Sequence, residues 1–228
     1  MKSFDITIYG HLTYDNIYDG FSYKASVGSM GNVWSQLKTI NPNLKVQLEP
    51  TDIGESLIMV NREQCKRTSI SRLSLKTGSP TIHDSKINHI MYFNELSDTS
   101  FITDIKGFIV ADVCNGKPLN FKDENLQHID LLLMACEDFN EGDIEITDVV
   151  RGTVVLHYPK GSTILAGKTR KEYSYQHAEL VPNVNVLGAG DKLAAYILAG
   201  LLENTQDLPK VIQDAHNALT KYYKDEKI

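Results

Sequence analysis

Three short apolar runs limit what this chain can fold into: His89-Ile90-Met91-Tyr92-Phe93, Gly107-Phe108-Ile109-Val110-Ala111 and Ile129-Asp130-Leu131-Leu132-Leu133-Met134. Each is too short for a core helix and too continuously apolar for a strand with one wet face. Each therefore predicts a strand buried on both sides, the environment of a parallel sheet. Parallel neighbours need crossover connections, and helical stretches supply them. Val33, Leu37 and Ile40 share one helical face, Leu193 to Leu202 reads as a buried helix, and Leu208, Val211, Ile212, Ala215 and Leu219 recur at helical spacing after a cap candidate, Asp207. Asp5 to Tyr9 alternates as a first strand. Leu44 to Leu48 and Ser56 to Val60 read as two more, joined by a short connection from Glu49 to Glu55. The expected architecture is a single α/β domain over residues 1–228, a three-layer Rossmann-like sandwich with a mostly parallel central sheet. Ile17 to Ala25 and Thr68 to Leu75 alternate as strands of a small β-lid, drawn from about residues 11–30 and 56–76. At 228 residues and 42% hydrophobic composition the chain can bury one sizeable core.

The chemistry concentrates at Val186-Leu187-Gly188-Ala189-Gly190-Asp191-Lys192-Leu193, where two glycines and an acid precede the buried helix. Gly188 and Gly190 allow backbone angles closed to other residues, so successive N–H groups can point into one concavity. The first-turn amides and the positive end of the helix dipole would hold negative charge there. Asp191 falls in that first turn, where a carboxylate interacts favourably with the dipole by about 0.3–1 kcal/mol. The pattern suits an anion loop with a built-in general base, although a structural helix cap would use the same residue types. Near the start of the chain, Gly10-His11-Leu12-Thr13-Tyr14-Asp15 follows the first strand at the end where open α/β sheets bind ligands, and Val27-Gly28-Ser29-Met30-Gly31-Asn32 leads into a helix. On local pattern alone Asp15 reads as a turn acid and Asn32 as a helix cap.

Taken together, the two signatures resemble the ribokinase-like (PfkB) carbohydrate and nucleoside kinases, in a shortened and diverged form. The resemblance implies a ribokinase-like sandwich whose lid closes over the acceptor. It makes Asp191 the catalytic base, with Gly188, Ala189 and Gly190 as the anion hole. Asp15, Gly28 and Asn32 become substrate-binding residues. Transfer of the ATP γ-phosphate to a hydroxyl of a small sugar or nucleoside follows, with ATP and Mg2+ as cofactors. Where the family organises magnesium with an Asn-x-x-Glu element, this chain has Met134-Ala135-Cys136-Glu137-Asp138. Glu137 becomes the metal-linked carboxylate, or part of a solvated acidic loop with Asp138, Glu141 and Asp143. Gly161 remains from the nucleotide-phosphate loop, where His157 and Lys160 offer alternative phosphate contacts, or where the segment is a plain hairpin turn. His216 and Asn217 fall at the adenine pocket. The short run after the last helix and the brief connection from Glu49 to Glu55 imply a trimmed nucleotide site and an internal deletion. The missing asparagine, Leu187 in a place the family gives to a β-branched or hydroxyl residue, the lost phosphate-loop glycine and the short run after the last helix support a second reading: a catalytically weak or inactive relative that binds a sugar or nucleotide in a regulatory or structural role.

The remaining composition excludes rather than specifies. A net charge of −6 with dispersed cations argues against sequence-independent nucleic-acid binding. Cys65, Cys114 and Cys136 are far apart and lack metal-ligand spacing, which fits reduced thiols. The first residues lack a signal-peptide pattern and no apolar run is long enough to span a bilayer, so a cytoplasmic location without membrane contact is expected. The lid is also where the family often pairs two subunits, so a homodimer through it is expected by the same resemblance.

Overall fold

The protein is described by a computed structural model covering residues 3–20, 22–61, 66–76, 78–113, 119–120, 122–135, 146–166, 171–176, 181, 187–203 and 207–225. Its centre is β1 (Phe4–Asp19), a strand with two characters. From Ile6 to His11 every residue is buried, as expected between two parallel neighbours. Beyond that point Asp15 and Ile17 are buried while Tyr14 and Tyr18 are exposed, the period of two of a sheet with one open face. The same strand thus serves core and lid.

On one side β1 pairs in parallel with β3 (Val46–Asn61), on the other with β5 (Ser85–Ile90). The sheet continues in parallel through β6 (Phe108–Val113), β7 (Leu131–Ala135) and β8 (Thr153–Tyr158). It closes with the antiparallel strands β9 (Gly161–Ala166) and β10 (Lys171–Gln176). At the other end β2 (Ser22–Val27) pairs antiparallel with the outer half of β1, and β4 (Lys66–Lys76) with β3. These two pairings make the lid, in the order β2-β1-β3-β4.

Four helices lie among the described residues: α1 (Ser29–Ile40), the short α2 (Ile146–Val149), α3 (Ala189–Glu203) and α4 (Leu208–Asp225). Alternation along the strands sends Ile6, Ile8, Ile87, Val110, Leu131, Leu133 and Val155 to the face covered by α1, α3 and α4. Ile90, Ile109, Leu132, Met134 and Val154 go to the opposite face, under 3-10 turns at Phe93–Glu95, Ser100–Asp104 and Glu124–His128. The result is a three-layer α/β sandwich. Helix α3 packs between α1 and α4, which is why it carries apolar residues on nearly every side. Asp207 caps α4: its side chain accepts from the Lys210 amide at 3.1 Å and its carbonyl from the Val211 amide at 3.0 Å.

Three sequence expectations need correction. The expected break between Leu48 and Ser56 does not exist, because β3 runs unbroken from Val46 to Asn61. Pro50, which has no N–H, sits opposite Gly10, and the register to β1 then skips a residue before His11 meets Asp52. A bulge absorbs the proline where the sheet continues into the lid, in place of the expected connection. Ile17 to Ala25 is a hairpin rather than one strand, turning at Gly20, whose φ is +61°. Finally, β5 stops at Ile90 instead of reaching Phe93, because Tyr92 takes a left-handed conformation (φ 57°, ψ 46°) and starts a 3-10 turn.

Candidate functional site

The site begins where β1 leaves the core sheet. Thr13 and Asp15 share a face of the strand, and the Thr13 hydroxyl donates to Asp15 Oδ1 at 2.8 Å. Strand β2 then brings the chain back, and the Gly28 amide donates to the Thr13 carbonyl at 2.8 Å. A Cβ at position 28 would stand 2.0 Å from Thr13 Oγ1 and 3.1 Å from Asp15 Oδ1, so only glycine lets this turn lie against β1. Gly28 is also the residue that opens α1, with its carbonyl accepting from the Asn32 amide at 2.9 Å. Asn32 is therefore not the helix cap, and its side chain is released for other work. Asp15 lies within a strand and is buried, so it is not a turn acid.

The second half comes from the far end of the chain. Gly188 has φ +74°, in the left-handed region, and precedes α3; its carbonyl accepts from the Lys192 amide at 2.9 Å. Asp191, only 8% exposed, sits in the first turn of α3. The Asn32 side-chain amide donates to Asp191 Oδ2 at 2.8 Å, joining the first turns of α1 and α3. The point where a Cβ on Gly188 would stand lies 3.5 Å from Asn32 Nδ2, 3.5 Å from Asp191 Oδ2 and 3.7 Å from Lys192 Nζ. Among the described residues nothing lies within 4 Å of the equivalent point on Gly190. Two helix N-termini, each opened by a glycine, thus meet around one carboxylate, with Ala189 and Gly190 between the left-handed turn and that acid. Main-chain N–H groups at such termini hold anions, and a carboxylate fixed by an amide donor keeps its second oxygen for a ligand.

The other sequence-predicted residues lie apart from this pair of turns in the chain. Gly161 is buried with φ +144° and follows Tyr158-Pro159-Lys160 in the two-residue turn of the β8–β9 hairpin, so the hairpin reading of that segment holds. Next to it, Ser162 Oγ and His216 Nε2 are 2.6 Å apart, with both residues buried between β9 and α4. Asn217 is exposed on α4, where its Oδ1 accepts from the Gln213 amide at 3.1 Å. Burial pushes the His157 pKa down to about 4, so a neutral ring offers no positive charge to a phosphate there. Glu137 lies outside the described residues, as do Cys65, Cys114 and Cys136. Among the described residues no three His, Cys, Asp or Glu side chains could hold a metal ion together. The described residues therefore do not form a magnesium cage, and no helix among them is long and apolar enough to cross a membrane.

Sequence reasoning missed Thr13, Ser29, Tyr92 and Lys192. The first was within reach, since the strand period puts residues 13 and 15 on one face. No local signal pairs Tyr92 with Ser29, whose hydroxyl accepts from the Tyr92 phenol at the start of α1.

This α/β sandwich is the fold of kinases in the ribokinase family. Solved structures share it across nearly the whole chain at low identity. Ribokinase from Arabidopsis thaliana, solved with ribose and ATP, is 15% identical, with a TM-score of 0.63 over 94% of this chain and 92% of that one. Adenosine kinase from Sinorhizobium meliloti is 12% identical, with a TM-score of 0.67 over 95% and 93%. A pyrophosphate-dependent kinase in the ribokinase family, solved with sulfate, is 14% identical, with a TM-score of 0.64 over 92% of each chain. No protein-family model matches this chain, and no curated protein matches it in sequence.

Proposed function

We propose that this protein is a kinase that transfers the γ-phosphoryl group of ATP to a hydroxyl of a small sugar or nucleoside, with Asp191 as general base. The observation that carries the reading is the bond from Asn32 to Asp191 beside the left-handed Gly188. It ties a buried carboxylate beside the left-handed turn to the start of α1, where Gly28 lies against Thr13 and Asp15 of β1, which supports an anion cradle next to an acceptor site. Among the described residues nothing else binds the Asp191 carboxylate, so Oδ1 is available to a substrate.

In this reading Asp15 accepts from one acceptor hydroxyl, while Gly28 lets the acceptor approach the backbone. Asn32 orients both the acceptor and the base. Asp191 Oδ1 takes the proton of the attacking hydroxyl as its oxygen bonds to the γ-phosphorus. The bond from that phosphorus to the bridging oxygen breaks, and its electron pair leaves with ADP. Amides around Gly188, Ala189 and Gly190 meet the charge on the transferred group, which is where electrostatic stabilisation counts most. The fold is shared with kinases solved with ribose and ATP and with a pyrophosphate-dependent kinase, which supports a small hydroxylated acceptor and leaves ATP and pyrophosphate as donors to compare.

The lid also suits self-association. Tyr14, Tyr18, Tyr23, Leu57, Met59 and Ile70 share one face of its four strands and are 42–67% exposed. So many exposed apolar side chains on one face are unusual on a monomer, and we propose a second copy as the occupant of that face. Sedimentation should give a dimer that Ile70→Lys with Tyr18→Lys dissociates; a wild-type monomer refutes this. For the reaction itself, a panel of sugars and nucleosides is screened by thermal shift, and the hits by acceptor-dependent ADP release. Acceptor-dependent release supports the kinase. Stabilisation by a ligand without release by any donor would instead favour the non-catalytic binding protein.

A further inference from the structure

Lys192 breaks a local rule. A cation in the first turns of a helix faces the positive end of the dipole, which disfavours it, so other contacts must set where its charge stands. Its neighbours in the sequence, Asp191 and Leu193, are both buried, while Lys192 itself is half-buried. The side chain does not simply extend away from the helix. Its Nζ lies 4.9 Å from the centroid of the Tyr222 ring on α4, a cation-π distance. The same atom is 3.7 Å from the point that a Cβ on Gly188 would occupy. A ring supplied by another helix therefore holds the ammonium beside the left-handed turn, on the side where Asn32 Nδ2 and Asp191 Oδ2 also converge.

We propose that Lys192 is a further catalytic residue, contacting the terminal phosphoryl group of the donor; this rests on the kinase reading above. An anion in the cradle removes the penalty that the helix dipole imposes on the lysine. It also separates the roles of the two neighbours on α3: Asp191 takes the acceptor proton, and Lys192 meets charge on the group being transferred. The ligand class is a terminal phosphate of a polyphosphate chain, whether or not a nucleoside is attached. Tyr222 acts as a positioning residue through its ring.

The test uses the full chain and three variants, Lys192→Met, Lys192→Arg and Tyr222→Leu, each checked for folding by circular dichroism. Titration calorimetry measures binding of inorganic pyrophosphate and of ATP, and a single-turnover assay measures transfer to the best acceptor. Lys192→Met should weaken pyrophosphate binding about tenfold and slow transfer about 10²-fold or more, with acceptor affinity unchanged. Lys192→Arg should restore most of the anion affinity, and Tyr222→Leu should weaken it by less than Lys192→Met does. Equal pyrophosphate affinity and equal transfer rates in wild type and Lys192→Met would overturn the inference while leaving the kinase reading intact. Met and Arg variants that behave alike would also overturn it, since that pattern belongs to a structural side chain. A wild-type protein that binds neither pyrophosphate nor ATP would overturn both.

Discussion

Replacing His89 by leucine should flatten the acid limb of this protein's stability curve. His89 is fully buried on β5, between Ile8 of β1 and Val110 of β6 in the register of the sheet. Among the described residues neither ring nitrogen has a hydrogen-bond partner of normal geometry, and burial pushes its pKa from 6.5 down to about 4, a backbone contact with Val110 offsetting part of the effect. The folded state thus resists a proton that the unfolded chain accepts. Stability from the neutral ring is complete above pH 6.5 and is lost as the pH falls toward 4. At 1.36 kcal/mol per pH unit the full window is worth roughly 3 kcal/mol, and about 2.5 kcal/mol of it is gone by pH 4.5. Leucine fills a similar volume and has no group to protonate. Urea denaturation of both proteins at pH 8 and pH 4.5 measures the difference. His157, lowered to about 4 by burial as well, contributes equally to both proteins and cancels. At pH 8 the variant should match or exceed wild type, because a buried ring without hydrogen bonds has been removed. At pH 4.5 its advantage should grow by about 2.5 kcal/mol. A stability gap that stays the same at both pH values would refute the reasoning.

Gly28→Ala should cost about 1–3 kcal/mol through overpacking, because the new methyl would meet Thr13 Oγ1 at 2.0 Å. It should also raise the acceptor KM more than it lowers Tm-normalised kcat, since Thr13 and Asp15 must shift; thermal unfolding and steady-state kinetics read the two effects, and an unaltered KM would count against Gly28 as part of the acceptor turn. Asn32→Leu removes the donor to Asp191 and should lower kcat/KM by at least about tenfold, the worth of one hydrogen bond to a charged group. A variant as active as wild type would detach the amide from the base.

Much of the core was legible because period-two burial and short apolar runs depend only on local pattern. Val110 and Leu131 line one face of the parallel sheet and Ile109 and Leu132 the other, as runs buried on both sides require. The boundaries failed where a single residue outweighed the pattern. Pro50 produced a bulge instead of a break, and Tyr92 ended β5 early by turning left-handed. The elements of the site were legible as two glycine-acid motifs, since glycine turns before helices carry a local signature. Their meeting was not, because Asn32 and Asp191 are 159 residues apart and only tertiary packing of α1 on α3 brings them to 2.8 Å. Thr13 and Lys192 were overlooked for different reasons. A strand threonine looks like any other, and a lysine after an acid reads as solvated surface until Tyr222 on a later helix is seen to hold it.

Single-turnover phosphoryl transfer by Asp191→Asn, with acceptor affinity measured on the same preparation, bears most directly on the base assignment. Asparagine keeps the size of the side chain and still meets Asn32, while losing the ability to take a proton. The transfer rate should fall by about 10²–10⁴-fold with acceptor affinity within about twofold of wild type. Transfer at the wild-type rate would mean that the carboxylate between the two helix N-termini is not the base.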